Sequence, residues 1–311
     1  MSHRTPNHVC AVVVSYHPER DVLREVLAAA RPQVDELVVV DNGSSPQTVE
    51  WLAGLAREHD FHVLPLGRNL GIASAHNAGI AWARENKSAY VLLLDQDSTP
   101  DHAMVDELLR ADRELRARGA QVSAVGPQYR DASRGHASFF VRFGLVKFMR
   151  LYCDSGVCGQ RIPADFLISS GSLMSMDALT AIGGMDDGLF IDHVDTDWFL
   201  RARHRGYQAF GVCDAVMLHS LGSGTSRIWL GRWRHVARHG PLRHYYNFRN
   251  SLLLYRRPYA PARWILTDIT RLAGLFFFHA LFTPPRREQV AMMLKGIVDG
   301  VRGHGGPLGR Q

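Results

Sequence analysis

Short, unbroken apolar runs alternate along the chain with longer segments of helical length. The runs are CAVVVSY (10–16), ELVVVDN (36–42), FHVLPL (61–66), YVLLLDQD (90–97) and QVSAVGP (121–127). Apolar runs without polar alternation suit strands that are covered on both faces. Segments 21–30, 48–58, 73–86 and 104–118 lie between or beside them, each long enough for a crossover helix. This alternation predicts an α/β fold on a mostly parallel, doubly wound sheet. Ligands of such sheets bind beyond the carboxyl ends of the strands.

Those ends are chemically loaded. The first run closes on Ser15-Tyr16-His17, the second on Asp41-Asn42-Gly43-Ser44 and the fourth on Asp95-Gln96-Asp97. Arg68-Asn69-Leu70-Gly71 follows the third and leads into a helix that offers His76 and Asn77. One crevice can gather all of them. After Pro127 the alternation stops, and 128–163 reads as an irregular, substrate-shaping stretch. PADFLISSGSLMSMDAL (163–179) reads as a strand, a small-residue turn and a helix start, and a further helix is predicted over 194–205. GYQAFGVCDAVMLHS (206–220) is extended and leads to His219.

Composition adds an asymmetry. With 46% hydrophobic and 21% charged residues the chain can bury a substantial core. Residues 201–311 carry 18 Lys and Arg against 4 Asp and Glu, net +14, which leaves residues 1–200 at −8 within a total of +6. A basic block can serve nucleic acid, an anionic membrane or an anionic substrate. The nucleic-acid reading leaves the acidic crevice without a purpose, so no nucleic-acid partner is expected. From about Arg227 the chain becomes basic and aromatic, which divides it into a sheet domain over 1–225 and a helical appendage over 226–311. Within the appendage, Trp264 to Phe282 is nearly long enough to span a bilayer, but Asp268 and Arg271 interrupt it. It reads as an amphipathic helix lying on a membrane or on the domain.

At the N-terminus the apolar run Val9–Val14 is too short for a signal peptide. Four dispersed cysteines (Cys10, Cys153, Cys158 and Cys213) fit free thiols in a reducing, cytosolic setting. Cys153 and Cys158 lack the second close pair of a zinc site.

Asp95 and Asp97 admit three readings. Hard cations such as Mg²⁺ or Mn²⁺ take oxygen ligands and commonly share them with substrate phosphates, so two carboxylates suffice. Asp95-Gln96-Asp97-Ser98-Thr99 also fits the D-x-D-x-T pattern of dehalogenase-like phosphatases, although that motif closes a first strand rather than a fourth. Alternatively, the acids only cap a helix that starts near Asp101. A second cluster packs Asp186, Asp187, Asp192, Asp195 and Asp197 into twelve residues, which is more than capping a helix needs. A general base is the better reading of that cluster.

The motifs VVVSYH (12–17), VVVDNGS (38–44), RNLGIASAHNAGI (68–80), LLLDQDS (92–98), LISSGSLMS (167–175), DGLFIDHVDTDWFLRARHRGY (187–207) and LHSLG (218–222) resemble the inverting family 2 glycosyltransferases of GT-A fold, in that family's order. FLISSG, FIDHVDT and the tail motifs RHYYNFRN and GIVDGVRGHGG resemble its rhamnosyltransferase branch, with the nearest likeness to enzymes that extend a mono-rhamnolipid to a di-rhamnolipid. The resemblance implies a dTDP-L-rhamnose donor, a divalent cation (Mg²⁺ or Mn²⁺) and an amphiphilic acceptor. That acceptor is a mono-rhamnolipid or, alternatively, a lipid-linked glycan in O-antigen or other cell-surface polysaccharide assembly.

The resemblance also implies a cytoplasmic enzyme held peripherally on an anionic membrane surface. Carried over by position, Ser15, Tyr16 and Asp41 contact the nucleoside, Asn69 and Asn77 line the nucleotide cleft, and Asp95, Gln96 and Asp97 form the metal and diphosphate site, which His219 completes. The family's Glu-Asp pair falls on Val194-Asp195. The Glu is missing and the Asp is kept, which makes Asp195 the expected base, with Asp192 in reserve.

Overall fold

The computed structural model describes residues 7–131, 138–145, 147–154, 156–219, 225–229, 233–237 and 240–309. Its first half repeats strand and helix: β1 (Val9–Ser15), α1 (Arg20–Ala30), β2 (Glu36–Asp41), α2 (Pro46–His59), β3 (His62–Pro65), α3 (Ile72–Glu85) and β4 (Tyr90–Asp95). Next come β5 (Ser98–Pro100), α4 (Met104–Ala117), β6 (Val122–Asp131), β7 (Phe140–Phe143), β8 (Phe148–Leu151), β9 (Arg161–Ala164), β10 (Leu173–Ser175), α5 (Met176–Ile182), α6 (Val194–His204) and β11 (Gln208–His219). The hairpin β12 (Thr225–Trp229) and β13 (Trp233–Ala237) precedes α7 (Pro241–Tyr255), α8 (Ala262–Phe282) and α9 (Arg286–Arg302).

Among the described residues the main sheet has nine strands in the order β3-β2-β1-β4-β10-β6-β11-β5, with β9 paired to β11. β3, β2, β1 and β4 run parallel, as do β6 and β11, while β10 is antiparallel to both of its neighbours. Successive residues of β1 explain its unbroken apolar run. Val9, Ala11 and Val13 pack with Leu23, Leu52 and Leu108 of α1, α2 and α4, whereas Cys10, Val12 and Val14 join Ile80 of α3 and Trp198 of α6. Each such side chain, fully buried, contributes roughly 1.5–3 kcal/mol.

Glycine lets α3 approach the sheet: a Cβ on Gly79 would lie 2.1 Å from Val12 Cγ1. The strand order reverses between β1 and β4, and at such a switch point the loops diverge and open a crevice.

The tail shares this core. Leu254 of α7 and Trp264 of α8 lie in the same apolar cluster as Ile80 and Trp198. By length and composition α8 could cross a membrane, yet Trp264, Asp268, Leu272 and His279 are buried against protein. The charges that interrupt it face inward: Asp268 accepts from Arg271 Nε at 2.7 Å and from Tyr255 Oη at 2.7 Å.

One expectation is corrected. Cys153 and Cys213 form a disulfide, Cα–Cα 5.7 Å, across 60 residues, which leaves buried Cys10 and exposed Cys158 as free thiols. This bond removes Cys153 from any zinc pair with Cys158. It tethers the segment after β8 to β11, neighbours in space that sequence spacing could not reveal.

Candidate active site

Parallel register brings the three loaded strand ends together. Ser15 is level with Asp41 across β1 and β2, and Val14 is level with Asp95 across β1 and β4. Ser15 and Asp41 are both 0% exposed. Asp41 Oδ2 accepts from the amides of Gly43 (3.1 Å) and Ser44 (2.8 Å). Its Oδ1 and the Ser15 hydroxyl have no partner among the described residues. A buried polar atom left unpaired costs about 1–3 kcal/mol, and two at adjacent strand ends suit a place that receives polar groups of a ligand.

Around them the loops are knitted. Gln96 Oε1 accepts from the Tyr16 amide at 2.7 Å, which joins the ends of β1 and β4, and Tyr16 is 44% exposed at the rim. The His17 amide donates to Ser44 Oγ at 2.8 Å. Asn69 Oδ1 accepts from Gly71 N (2.9 Å) and Asn42 Nδ2 (3.2 Å), while Asn42 Oδ1 accepts from Leu70 N (2.9 Å). Asn69 therefore shapes the loop before α3.

Asn77, expected to line the nucleotide cleft, is engaged by the segment ahead of α6. Its amide exchanges bonds with Met185 N and O (2.7 and 2.9 Å) and donates to Asp187 Oδ1 (2.8 Å). It clips α3 to the segment that leads into α6.

Asp95 and Asp97 flank the turn between β4 and β5, both half-buried. The Asp95 amide donates to Ser170 Oγ at 2.9 Å, so the Ser169–Gly171 turn backs this carboxyl end. β5 pairs with β11 so that Ser98 is level with His219, which places the His219 backbone beside Asp97. The His219 side chain lies outside the described residues.

Two carboxylates on one turn, next to a crevice with unsatisfied polar groups, suit an open Mg²⁺ or Mn²⁺ site that a substrate phosphate completes. Among the described residues no group of three or more His, Cys, Asp or Glu side chains forms a closed metal cage.

The second acidic cluster resolves by partners. Asp186 accepts from Gly188 N and Arg257 (2.9 and 2.6 Å), Asp187 from Ser74 and Asn77 (3.0 and 2.8 Å), and Asp192 from Arg243 (3.1 Å). Asp197 is buried between Arg201 (2.9 Å) and the Tyr259 hydroxyl (2.6 Å). Asp195, in the first turn of α6, accepts from its neighbour Thr196, from N at 2.7 Å and Oγ1 at 3.4 Å. Burial, with a smaller push from Asp192, raises its carboxyl to about 6, which suits a proton acceptor at neutral pH.

Tyr129 ties the two acidic regions together, and no motif singled it out. Its hydroxyl donates to the Ser170 carbonyl, and burial, then Asp95 and Asp195, hold the phenol above its usual range. Asp95 and Asp195 therefore act on a common group. It stands in the stretch read as irregular, on the end of β6 that extends past Pro127.

The turn ahead of α6 is strained. Phe190, Asp192 and His193 have φ of 64°, 62° and 60°, at a cost of order 1–3 kcal/mol each. Gly71 makes room for it, since a Cβ there would lie 2.5 Å from the Phe190 carbonyl oxygen.

A doubly wound sheet of this order, with a carboxylate pair at the switch point, is the architecture of a GT-A-type glycosyltransferase. The family model for glycosyl transferase family 2 matches residues 11–183, and the chain belongs to that family. It is similar to the dTDP-rhamnosyl transferase RfbF of Shigella flexneri, 29% identical over 303 residues and 96% of both chains. It is also similar to the N-acetylglucosaminyl-diphospho-decaprenol L-rhamnosyltransferase of Mycobacterium tuberculosis, 24% identical over 91% of this chain and 96% of that one. Among solved structures, the mannosyltransferase PcManGT of Pyrobaculum calidifontis with GDP-Man and Mn²⁺ superposes with a TM-score of 0.55 at 16% identity, covering 94% of this chain and 86% of that one.

Proposed function

We propose that the protein transfers L-rhamnose from dTDP-L-rhamnose, with inversion, to a hydroxyl of a lipid-linked glycan at the cytoplasmic face of a membrane. The observation that carries the chemistry is Asp195, which among the described residues is the one acid of the 186–197 cluster not held by a cation or a side-chain amide, with its carboxyl raised to about 6. The donor rests on the Shigella relative's name and the acceptor class on the mycobacterial one's. A mono-rhamnolipid acceptor, expected from the sequence, has no counterpart in these relatives, and the lipid-linked glycan takes precedence.

In this mechanism Asp41 and Ser15 receive the nucleoside, their unpaired oxygens answering polar groups of the base and sugar. Asp95 and Asp97 would hold the cation, which when bound supplies charge neutralisation to the donor diphosphate. Asp195 takes the proton of the acceptor hydroxyl as that oxygen attacks the anomeric carbon from the face opposite dTDP. General-base assistance of this kind contributes on the order of 10²–10⁴-fold.

Docking at the membrane is supported by the outer faces of α8 and α9. Leu266, Ile269, Phe277 and Leu281 on one, and Leu294, Val298 and Val301 on the other, are exposed beside Arg263, Arg286, Arg287 and Arg302. A basic residue near an anionic surface contributes about 1 kcal/mol.

The deciding experiment is a donor-by-acceptor assay. dTDP-L-rhamnose is offered beside UDP- and GDP-sugars, against a mono-rhamnolipid and a polyprenyl-diphosphate glycan. Transfer from dTDP-L-rhamnose to the polyprenyl glycan is expected. Turnover only with another nucleotide sugar, or only on the rhamnolipid, contradicts the donor or the acceptor reading respectively.

A further inference from the structure

The tail motif RHYYNFRN takes no part in the transfer step, yet its Arg249 and Asn250 are 1% and 0% exposed. Asn250 Nδ2 faces three carbonyls of one turn, those of Leu189, Ile191 and Asp192, at 2.9, 2.8 and 2.9 Å. Arg249 Nη2 donates to the carbonyls of Gly188 and Leu189 at 3.2 and 2.9 Å, and Nη1 to that of Gly306. Its Nε donates to Asn250 Oδ1 at 2.9 Å, which fixes the orientation of the amide. The guanidinium carbon lies 4.8 Å from the Tyr246 ring centroid.

Among the described residues no carboxylate pairs with Arg249. A buried guanidinium answered by main-chain oxygens and an aromatic face is a costly way to fill space, and an apolar side chain would fill it without desolvating a charge. What the Arg-Asn pair adds is a set of directed bonds onto residues 188–192. With His193 that turn holds three non-glycine residues at positive φ, Phe190, Asp192 and His193, a backbone that persists only where its surroundings over-determine it. Its other side is fixed by the Phe190 carbonyl, which accepts from Ile72 N at 2.7 Å. The turn ends at His193, whose carbonyl accepts from Asp197 N at 2.8 Å and so starts α6, with Asp195 two residues on.

We propose that Arg249 and Asn250 are positioning residues for the Asp195 carboxylate: from α7 they lock the left-handed turn that sets the first turn of α6. The tail is in this respect part of the active site. The inference rests on the reading of Asp195 as the base.

The test compares Asn250→Ala, Arg249→Lys, Asp195→Asn and the double variant Asp195→Asn/Asn250→Ala. It measures kcat and KM with dTDP-L-rhamnose, dTDP affinity by calorimetry and the thermal midpoint. Loss of the turn's hold is expected to lower kcat about 10- to 100-fold, as misplacement of a reacting group by about an ångström does. KM for the donor and dTDP affinity should stay within about twofold in Asn250→Ala, with a smaller kcat loss in Arg249→Lys. The double variant should be no slower than Asp195→Asn, because a residue acting through another adds nothing once that one is gone.

An unchanged kcat in Asn250→Ala, or losses that multiply in the double variant, overturns the proposal. So does failure of both Asn250→Ala and Arg249→Lys to fold, since the pair would then hold the domain rather than the turn. Full turnover by Asp195→Asn overturns the base assignment instead, and that outcome is read separately.

Discussion

Arg243 of α7 holds Asp192 in an ion pair, its Nε 3.1 Å from Oδ1 and 3.3 Å from Oδ2. The pairing ties the Asp192 carboxylate to α7, beside the turn ahead of α6. Among the described residues Asp195, three residues on, has no such cation, and burial favours its neutral form. Asp192, the reserve base expected from the sequence, is thus held by a cation, and Asp195 is the proposed proton acceptor.

A raised base shows in the pH profile. The kcat/KM for transfer should fall as pH drops through about 6, since the protonated carboxyl cannot accept the acceptor's proton. An ordinary aspartate would put this limb near 4. A limb near 4, measured with dTDP-L-rhamnose under saturating metal, would contradict the assignment.

The same shift predicts a stability cost. Because the folded carboxyl binds its proton more tightly than the unfolded one, its stabilising effect is full below about pH 4 and is lost as pH rises through about 6. At pH 7.5 the charge, part-buried at the head of α6, opposes folding by at most about 3 kcal/mol. Asp195→Asn should therefore melt several degrees above the wild type at pH 7.5, with the gap closing toward pH 4. A lower midpoint at pH 7.5 counts against the burial argument.

At the β4 end, Asp97→Asn should weaken dTDP binding at least tenfold in the presence of Mn²⁺ and leave the weak binding in EDTA unchanged. Calorimetric titration of both proteins, with and without the metal, checks this. Equal affinities under all four conditions would remove the cation from the account.

Membrane docking should follow charge and apolar exposure together. In flotation with liposomes the protein should rise with anionic vesicles and far less with neutral ones, and Leu266→Ser combined with Phe277→Ser should reduce the floated fraction. Point variants are preferable to truncation, because Leu254 and Trp264 are part of the central core. Flotation indifferent to both lipid charge and substitution defeats this part of the reading.

Much of the sheet was legible because its strands are buried on both faces, so runs such as Val91–Leu94 carry no helical periodicity to confuse them. The strand-end acids were legible for the same reason: a carboxylate directly after such a run can only sit at the sheet's mouth. The phosphatase reading of Asp95 fails on topology, since β4 ends beside β1 at the switch point in a family 2 fold.

Partnership was not legible. Helical spacing pairs Asp197 with Arg201 four residues on, but nothing in it distinguishes Asp195 from Asp187 or Asp192, whose amide and cation come from α3 and α7, many residues away. The partners of Asn77, residues 185 and 187, were hidden in the same way. Tyr129 and the Cys153–Cys213 bond depend on three-dimensional neighbours alone.

The central claim is that Asp195 removes the acceptor's proton in rhamnosyl transfer from a nucleotide donor. Its most direct test is the initial rate of Asp195→Asn with dTDP-L-rhamnose and a polyprenyl-diphosphate glycan, with dTDP affinity measured on the same preparation. The account predicts a loss of at least about 10²-fold in transfer with dTDP affinity within about twofold of the wild type. Transfer at the wild-type rate would contradict it.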